Sequence, residues 1–178
     1  MGHNVTVFEK RAQLGGMLRY GIPNYRLPRE RLQWDIDSIL SEGIKYKTNF
    51  DIESKESIDE LKGKFDAIYI SIGSHNHKEL GIPGEYAKGV ISAVEILRGI
   101  GDNDMPDFNG KSVVIVGGGN VAMDVSRTAK RLGASEVSIV YRRRKIDMTA
   151  LPEEVDGAIA EGCTLIQLKT PARIQVDK

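Results

Sequence analysis

Apolar residues along this chain gather in two ways, as short unbroken blocks and as stripes at three- and four-residue spacing. Val113 to Val116 is a block of four apolar, mostly β-branched residues, the pattern of a strand buried in a parallel sheet. It runs through Gly117-Gly118-Gly119 into a stripe at Val121, Val125, Thr128, Ala129 and Leu132 that stops at Gly133. That predicts a helix starting at Asn120 and ending on a left-handed glycine. Val137 to Tyr141 is a second block. Strand, helix and strand fit within about 30 residues, the length a parallel crossover unit needs.

The same pattern, weaker, covers the rest. Val5 to Phe8 reads as a short strand ending at Glu9, with only Met1 to Asn4 before it. The chain is therefore expected to begin in mid-unit. A glycine-rich loop spans Leu14 to Pro23. Pro28 opens a helix with Leu32, Ile36, Ile39 and Leu40 on one stripe, closed by Gly43, a proline-first, glycine-last helix. Ile44 to Thr48 reads as a strand, Ser57 to Glu60 as a capping box on a short helix, and Phe65 to Ile72 as an apolar strand running into Gly73. Leu80-Gly-Ile-Pro-Gly-Glu85 is a turn cluster and marks the expected crossing between two domains, 1–85 and 86–178. Ser92 to Glu95 is a second capping box, opening a helix through Ile96 and Leu97. Gly101 to Gly110 is a polar loop. Pro152 opens a helix with Glu153 and Glu154 in its first turn, closed by Gly162. Thr164 to Leu168 reads as a third strand, and Ile174 to Val176 as the start of another. The fold class that follows is α/β: a Rossmann-like, three-layer arrangement on a parallel sheet, truncated at both ends.

The chemistry sits where strand meets helix. Gly117, Gly119 and Ala122 fill the three small positions of a dinucleotide fingerprint: one for the tight turn, one for close backbone approach to a pyrophosphate, one for helix–strand packing. The helix beginning at Asn120 and Val121 would aim free N–H groups and its positive dipole end at the phosphates. The end of the following strand selects the cofactor. An acid there would hydrogen-bond the ribose 2′-hydroxyl of NAD. This chain has Tyr141-Arg142-Arg143-Arg144-Lys145 and no acid before Asp147. Guanidinium groups grip a 2′-phosphate bidentately, so Arg142 and Arg143 point to NADP(H). A solvated basic turn and a nucleic-acid contact are the other readings of such a run.

Composition narrows the field. The 178 residues are 40% hydrophobic and 28% charged, with 25 basic and 25 acidic side chains balancing to zero. That is globular composition, and nothing global calls for nucleic acid or an anionic membrane as partner. No apolar run reaches the roughly 18 residues that span a bilayer. Cys163 is the only cysteine, so no intrachain disulfide, redox pair or iron–sulfur set can form within these residues. A buried thiol in a reducing cytoplasm is the default. His75-x-His77 has no third ligand near it in sequence, short of a closed metal site. No metal site and no catalytic side chain is expected.

Taken together, Val5-Thr-Val-Phe-Glu9, Gly15-Gly16, Leu18-Arg-Tyr-Gly-Ile-Pro23, Tyr25-Arg-Leu-Pro28, Leu80 to Glu85, Gly117 to Asp124, Tyr141-Arg-Arg143 and Leu151-Pro-Glu-Glu-Val155 resemble, in that order, the small (beta) subunit of NADPH-dependent glutamate synthase. The FAD/NADPH half of dihydropyrimidine dehydrogenase and the ferredoxin:NADP oxidoreductase subunits share the pattern. The resemblance implies an NADPH-dependent flavin oxidoreductase with two nested dinucleotide domains, passing hydride to FAD and electrons on to iron–sulfur partners or a glutamate-synthase large subunit. It implies that Glu9 holds the FAD ribose, that Gly15, Gly16 and Leu18 line the flavin, and that Gly73 approaches it. The family's first strand with its own glycine turn, its N-terminal cysteines and its C-terminal Gly-Asp flavin motif have no counterpart here. FAD retention by this chain is therefore not expected, and the open sheet edge at Val5 to Phe8 is a route to a homodimer. Two further readings stand beside this one: an NADP(H)-binding piece without activity of its own, and another flavoprotein class such as a disulfide reductase or monooxygenase.

Overall fold

The computed structural model describes residues 2–176. The chain forms two compact units, one of residues up to Arg19 together with Asn24–Ser74, the other of Tyr20–Pro23 with the residues from His75 on. The boundary in compactness thus falls at Ser74 and His75, ahead of the Leu80–Glu85 turn cluster.

The first unit pairs β1 (Thr6–Phe8) in parallel with β2 (Lys45–Lys47). Between them run the short α1 (Gly16–Tyr20) and the longer α2 (Arg29–Ser41). Pro28 caps α2 as expected and Gly43 ends it at φ +86°, but the stripe is narrower than the sequence suggests. Leu32 is buried and Ile36 and Leu40 half-buried, while Ile39 is 57% exposed. α3 (Lys55–Lys62) starts one turn earlier than predicted. Its cap is Ser54, whose Oγ accepts the N–H of Ser57 at 3.3 Å. Phe8 lies against Phe50 in a tilted contact at 4.8 Å and meets Phe65 edge-on at 5.7 Å, a half-buried aromatic cluster.

The strand expected over Phe65–Ile72 is absent. Past Phe65 the chain has no regular structure until the turn at Pro83, and Tyr69, Ile70 and Ile72 are exposed at 91%, 70% and 79%. A β-branched run needs a neighbouring strand to complete its hydrogen bonds. Among the described residues none pairs with it.

The second unit holds the parallel sheet β3 (Ser112–Val116), β4 (Glu136–Tyr141) and β5 (Thr164–Gln167), in that spatial order. The helices are α4 (Ala93–Gly101), α5 (Asn120–Arg131) and α6 (Pro152–Ala160). α4 opens on Ser92, whose Oγ accepts the Glu95 N–H at 3.5 Å, as the capping box predicts. Both α5 and α6 end in Schellman turns. Gly133 N–H donates to Lys130 O and Ala134 N–H to Ala129 O; Gly162 N–H donates to Ile159 O and Cys163 N–H to Ala158 O. The expected strand at Ile174–Val176 does not form; Ile174 N–H instead bonds Pro83 O at 2.8 Å.

Register puts Val113, Ile115, Val137, Ile139 and Leu165 on one face of the sheet. That face packs with Met123, Val125 and Ala129 of α5, Leu97 of α4, and Val155 and Ala158 of α6 in one core. The opposite face carries Val114 at 64% exposure and Val116 at 40%, so among the described residues this unit builds two of the expected layers. The parallel α/β architecture itself is as predicted. No helix among the described residues is long and apolar enough to cross a membrane.

Candidate functional site

β3 and β4 run parallel and in register, from Ser112 opposite Glu136 to Val116 opposite Val140. Their carboxyl ends therefore emerge side by side, at the edge where open α/β sheets bind ligands. From β3 comes the turn Gly117–Gly119. From β4 comes the basic run Arg142–Lys145.

Gly117 sits at φ +152°, and a Cβ there would come within 3.3 Å of the Ala122 methyl. The first and third small positions of the fingerprint thus touch, as its packing logic requires. The sequence motif treats Gly118 as a free position, yet it is the tightest of the three. A Cβ on it would lie 2.4 Å from Cε2 of Tyr141. Its carbonyl accepts the N–H groups of Thr149 at 3.1 Å and Ala150 at 3.0 Å, and the Thr149 hydroxyl at 3.4 Å. The peptide bonds are trans, and a trans peptide points its C=O and the next N–H in opposite directions. Holding the Gly118 carbonyl against residues 149–150 therefore turns the Gly119 N–H away from them. Asn120 adds a second tie, its Oδ1 accepting the Leu151 N–H at 2.9 Å.

α5 opens without a capping side chain, because its N-cap is Gly119. The N–H groups of Gly118, Gly119, Asn120 and Val121 have no acceptor among the described residues. Uncapped helix donors backed by the helix dipole can accept an anion.

The basic run sorts itself. Arg144 grips Asp147 through Nε at 3.0 Å and Nη2 at 3.1 Å, and Lys145 Nζ reaches Asp156 at 2.6 Å. The first of these partners holds the Asp147 carboxyl below its ordinary range, chiefly through the Arg144 hydrogen bond. The exposed guanidinium groups of Arg142 and Arg143 enter no hydrogen bond or ion pair among the described residues. Their backbone is nonetheless fixed: Arg143 O accepts Leu168 N–H and Tyr141 O accepts Lys169 N–H, each at 3.2 Å. Two unpaired guanidiniums on a hydrogen-bonded backbone, at the same sheet end as the free helix donors, can bind a second phosphate.

The structure thus brings Gly117, Gly119, Asn120, Val121, Ala122, Arg142 and Arg143 to one sheet end. Sequence reasoning missed Gly118, Tyr141, Asp147 and Thr149; the run of three glycines was the one local signal, pointing to more than a two-glycine turn. In the other unit, Glu9 Oε1 accepts the Arg11 N–H at 2.8 Å, Gly15 and Gly16 have positive φ at the start of α1, and Leu18 is 49% exposed. Gly73, at φ +69°, lies in the irregular stretch, and no hydrogen bond among the described residues joins it to those four. Cys163 is buried, its thiol donating to Ser126 O at 3.7 Å, and burial pushes its pKa up.

Comparison with known proteins places the chain in a family. Residues 1–175 match the model of the pyridine nucleotide-disulphide oxidoreductase family, and the chain belongs to that family. It is 40% identical over 180 residues to the NADP(+)-dependent formate dehydrogenase subunit beta of Moorella thermoacetica, covering 99% of this chain and 25% of that protein. It is 31% identical over 186 residues to the glutamate synthase [NADPH] small chain of Escherichia coli, covering 99% of this chain and 39% of that one. The resemblance read from the motifs is therefore borne out, and the chain spans well under half the length of these relatives. Among solved structures, FprA of Mycobacterium tuberculosis in complex with NADPH shares the fold, with a TM-score of 0.72 at 22% identity over 89% of this chain and 41% of that one.

Proposed function

We propose that this chain carries the NADP(H)-binding core of an NADPH-dependent flavin oxidoreductase of the glutamate-synthase small-subunit type. One observation carries the reading: four unpartnered N–H groups at the Gly118–Val121 turn share a sheet end with the two unpaired guanidiniums of Arg142 and Arg143. The turn matches a pyrophosphate and the arginines a 2′-phosphate. The names of the relatives above, with their NADP(+) and NADPH, support the same cofactor. The dinucleotide, once bound, supplies a hydride; the chain's part is to hold and orient it, and no side-chain nucleophile or base is needed.

FAD fits less well. Glu9, Gly15, Gly16 and Leu18 offer ribose and ring contacts, but the glycine turn after β1 leads only into the five-residue α1, too short to cradle a pyrophosphate at its N-terminus. No step is derived through FAD for this chain. That observation favours a second reading: the chain binds NADP(H) and contributes no reaction alone. In the whole protein, a large-subunit partner accords with the relatives' being named as a beta subunit and a small chain; electron transfer to iron–sulfur partners follows from the motif resemblance, and the cytoplasm accords with the single buried thiol.

Calorimetric titration with NADPH and NADH tests the reading. Saturable NADPH binding, tighter than NADH, is expected; no binding of either dinucleotide would end it.

A further inference from the structure

We propose that Arg144 is a specificity-determining residue for NADP(H) that acts by holding Asp147, the nearest acid after β4, away from the 2′-phosphate site. The inference rests on the dinucleotide reading above.

An acid just beyond this strand is the group expected to select NAD, by accepting a hydrogen bond from the ribose 2′-hydroxyl and repelling a 2′-phosphate. This chain has such an acid within reach. Asp147 follows Arg143 by a single turn, and the charge of Arg143, after that of Arg144, helps hold its carboxyl below the ordinary range. Left free, it would compete with a phosphate for the Arg143 guanidinium and add a repelling charge beside it. The structure prevents this with a fork. Arg144 donates through Nε and its backbone N–H to Oδ2, at 3.0 and 3.2 Å, and through Nη2 to Oδ1 at 3.1 Å. Both carboxylate oxygens are engaged by one residue. The backbone is pinned too: Asp147 N–H donates to Arg144 O at 3.0 Å, and the Tyr141 hydroxyl donates to Asp147 O at 2.8 Å.

The pair caps the short turn at Lys145–Asp147, and its ion-pair contribution to folding is small. The Arg144 side chain is 67% exposed and the Asp147 side chain 32%, and exposed ion pairs contribute little to folding. Its effect is local, deciding which way one negative charge faces. The neighbouring cation is occupied in a different way, Lys145 with Asp156 on α6. Of the four basic residues, two are spent on acids and two are left for the ligand.

The test is titration calorimetry of the full 178-residue chain, reading the ratio of NADH to NADPH dissociation constants. Arg144→Gln should lower that ratio about tenfold, the size of one lost charge-assisted contact. Arg144→Ala should do the same. Adding Asp147→Asn to Arg144→Gln should restore the ratio to near that of the unmodified chain, because the freed group no longer carries charge. A ratio unchanged in Arg144→Gln and Arg144→Ala would overturn the proposal. So would a double variant as unselective as Arg144→Gln, which would mean the guanidinium itself contacts the phosphate. Melting temperatures within a few degrees of the parent identify ratios that come from folded protein. If the unmodified chain binds NADPH no tighter than NADH, the dinucleotide reading fails first, and that outcome is distinct from the others.

Discussion

Two residues do most to shape the turn, and both act by leaving something out. Gly117 omits a Cβ that would press on Ala122, and Gly118 omits one that would overlap the ring of Tyr141. Gly118→Ala should therefore destabilise the chain by about 1–3 kcal/mol, the usual cost of overpacking, read as a lower melting temperature and weaker dinucleotide binding together. The two unpaired arginines act by presence. The double variant Arg142→Ala, Arg143→Ala removes contacts worth about 1.5–3 kcal/mol each. It should weaken NADPH far more than NADH in paired titrations; equal weakening would mean the arginines do not read the 2′-phosphate. These glycines and arginines were legible because their chemistry follows from local sequence order. Tyr141, Asp147 and Thr149 were not, because their roles depend on the chain folding back so that residues 147–151 lie against Gly118 and Asn120.

At the scale of elements, local signals succeeded wherever the element could satisfy itself. The Ser92 cap, the glycine stops of α5 and α6 and the strand–helix–strand unit all appear as read. The Ser57 box failed by one turn because Ser54 stands three residues ahead with the same hydroxyl. The run from Phe65 to Ile72 failed for a different reason: strand propensity is a preference for pairing, and no described strand pairs with it. α5 and α6 are tied by a small ionic network. Arg127 reaches Glu154 at 2.7 Å and Glu161 at 2.9 Å, and Arg131 reaches Glu161 at 2.7 Å. Arg131 first, then Arg127, hold the Glu161 carboxyl below its ordinary 4.5. A depressed carboxylate stabilises the fold above its unfolded-state value and loses that contribution as pH falls through the folded one. Glu161→Gln should therefore melt below the parent at neutral pH. The gap should close as pH drops below 4.5; a gap independent of pH would remove the ionic account.

The whole molecule divides its work unevenly. The second unit holds a continuous core under its sheet and a completed turn, whereas the first has a two-stranded sheet and a few aromatic contacts. Brief chymotrypsin treatment should cut first near Tyr69, the most exposed aromatic of the irregular stretch, and leave a resistant piece containing β3 to β5. First cleavage within α5 or α6 would contradict the assignment of the core. Incubation with FAD followed by gel filtration should return a colourless protein, and stoichiometric flavin coeluting with it would show that the first unit builds a phosphate cradle. The central claim concerns the free N–H groups of the turn, and amide chemical shifts report on them directly. Titrating 15N-labelled chain with NADPH should move the amide signals of Gly118, Gly119, Asn120 and Val121 most, with Arg142 and Arg143 moving for NADPH but not for NADH. Saturable binding that leaves those four amides in place would contradict the account.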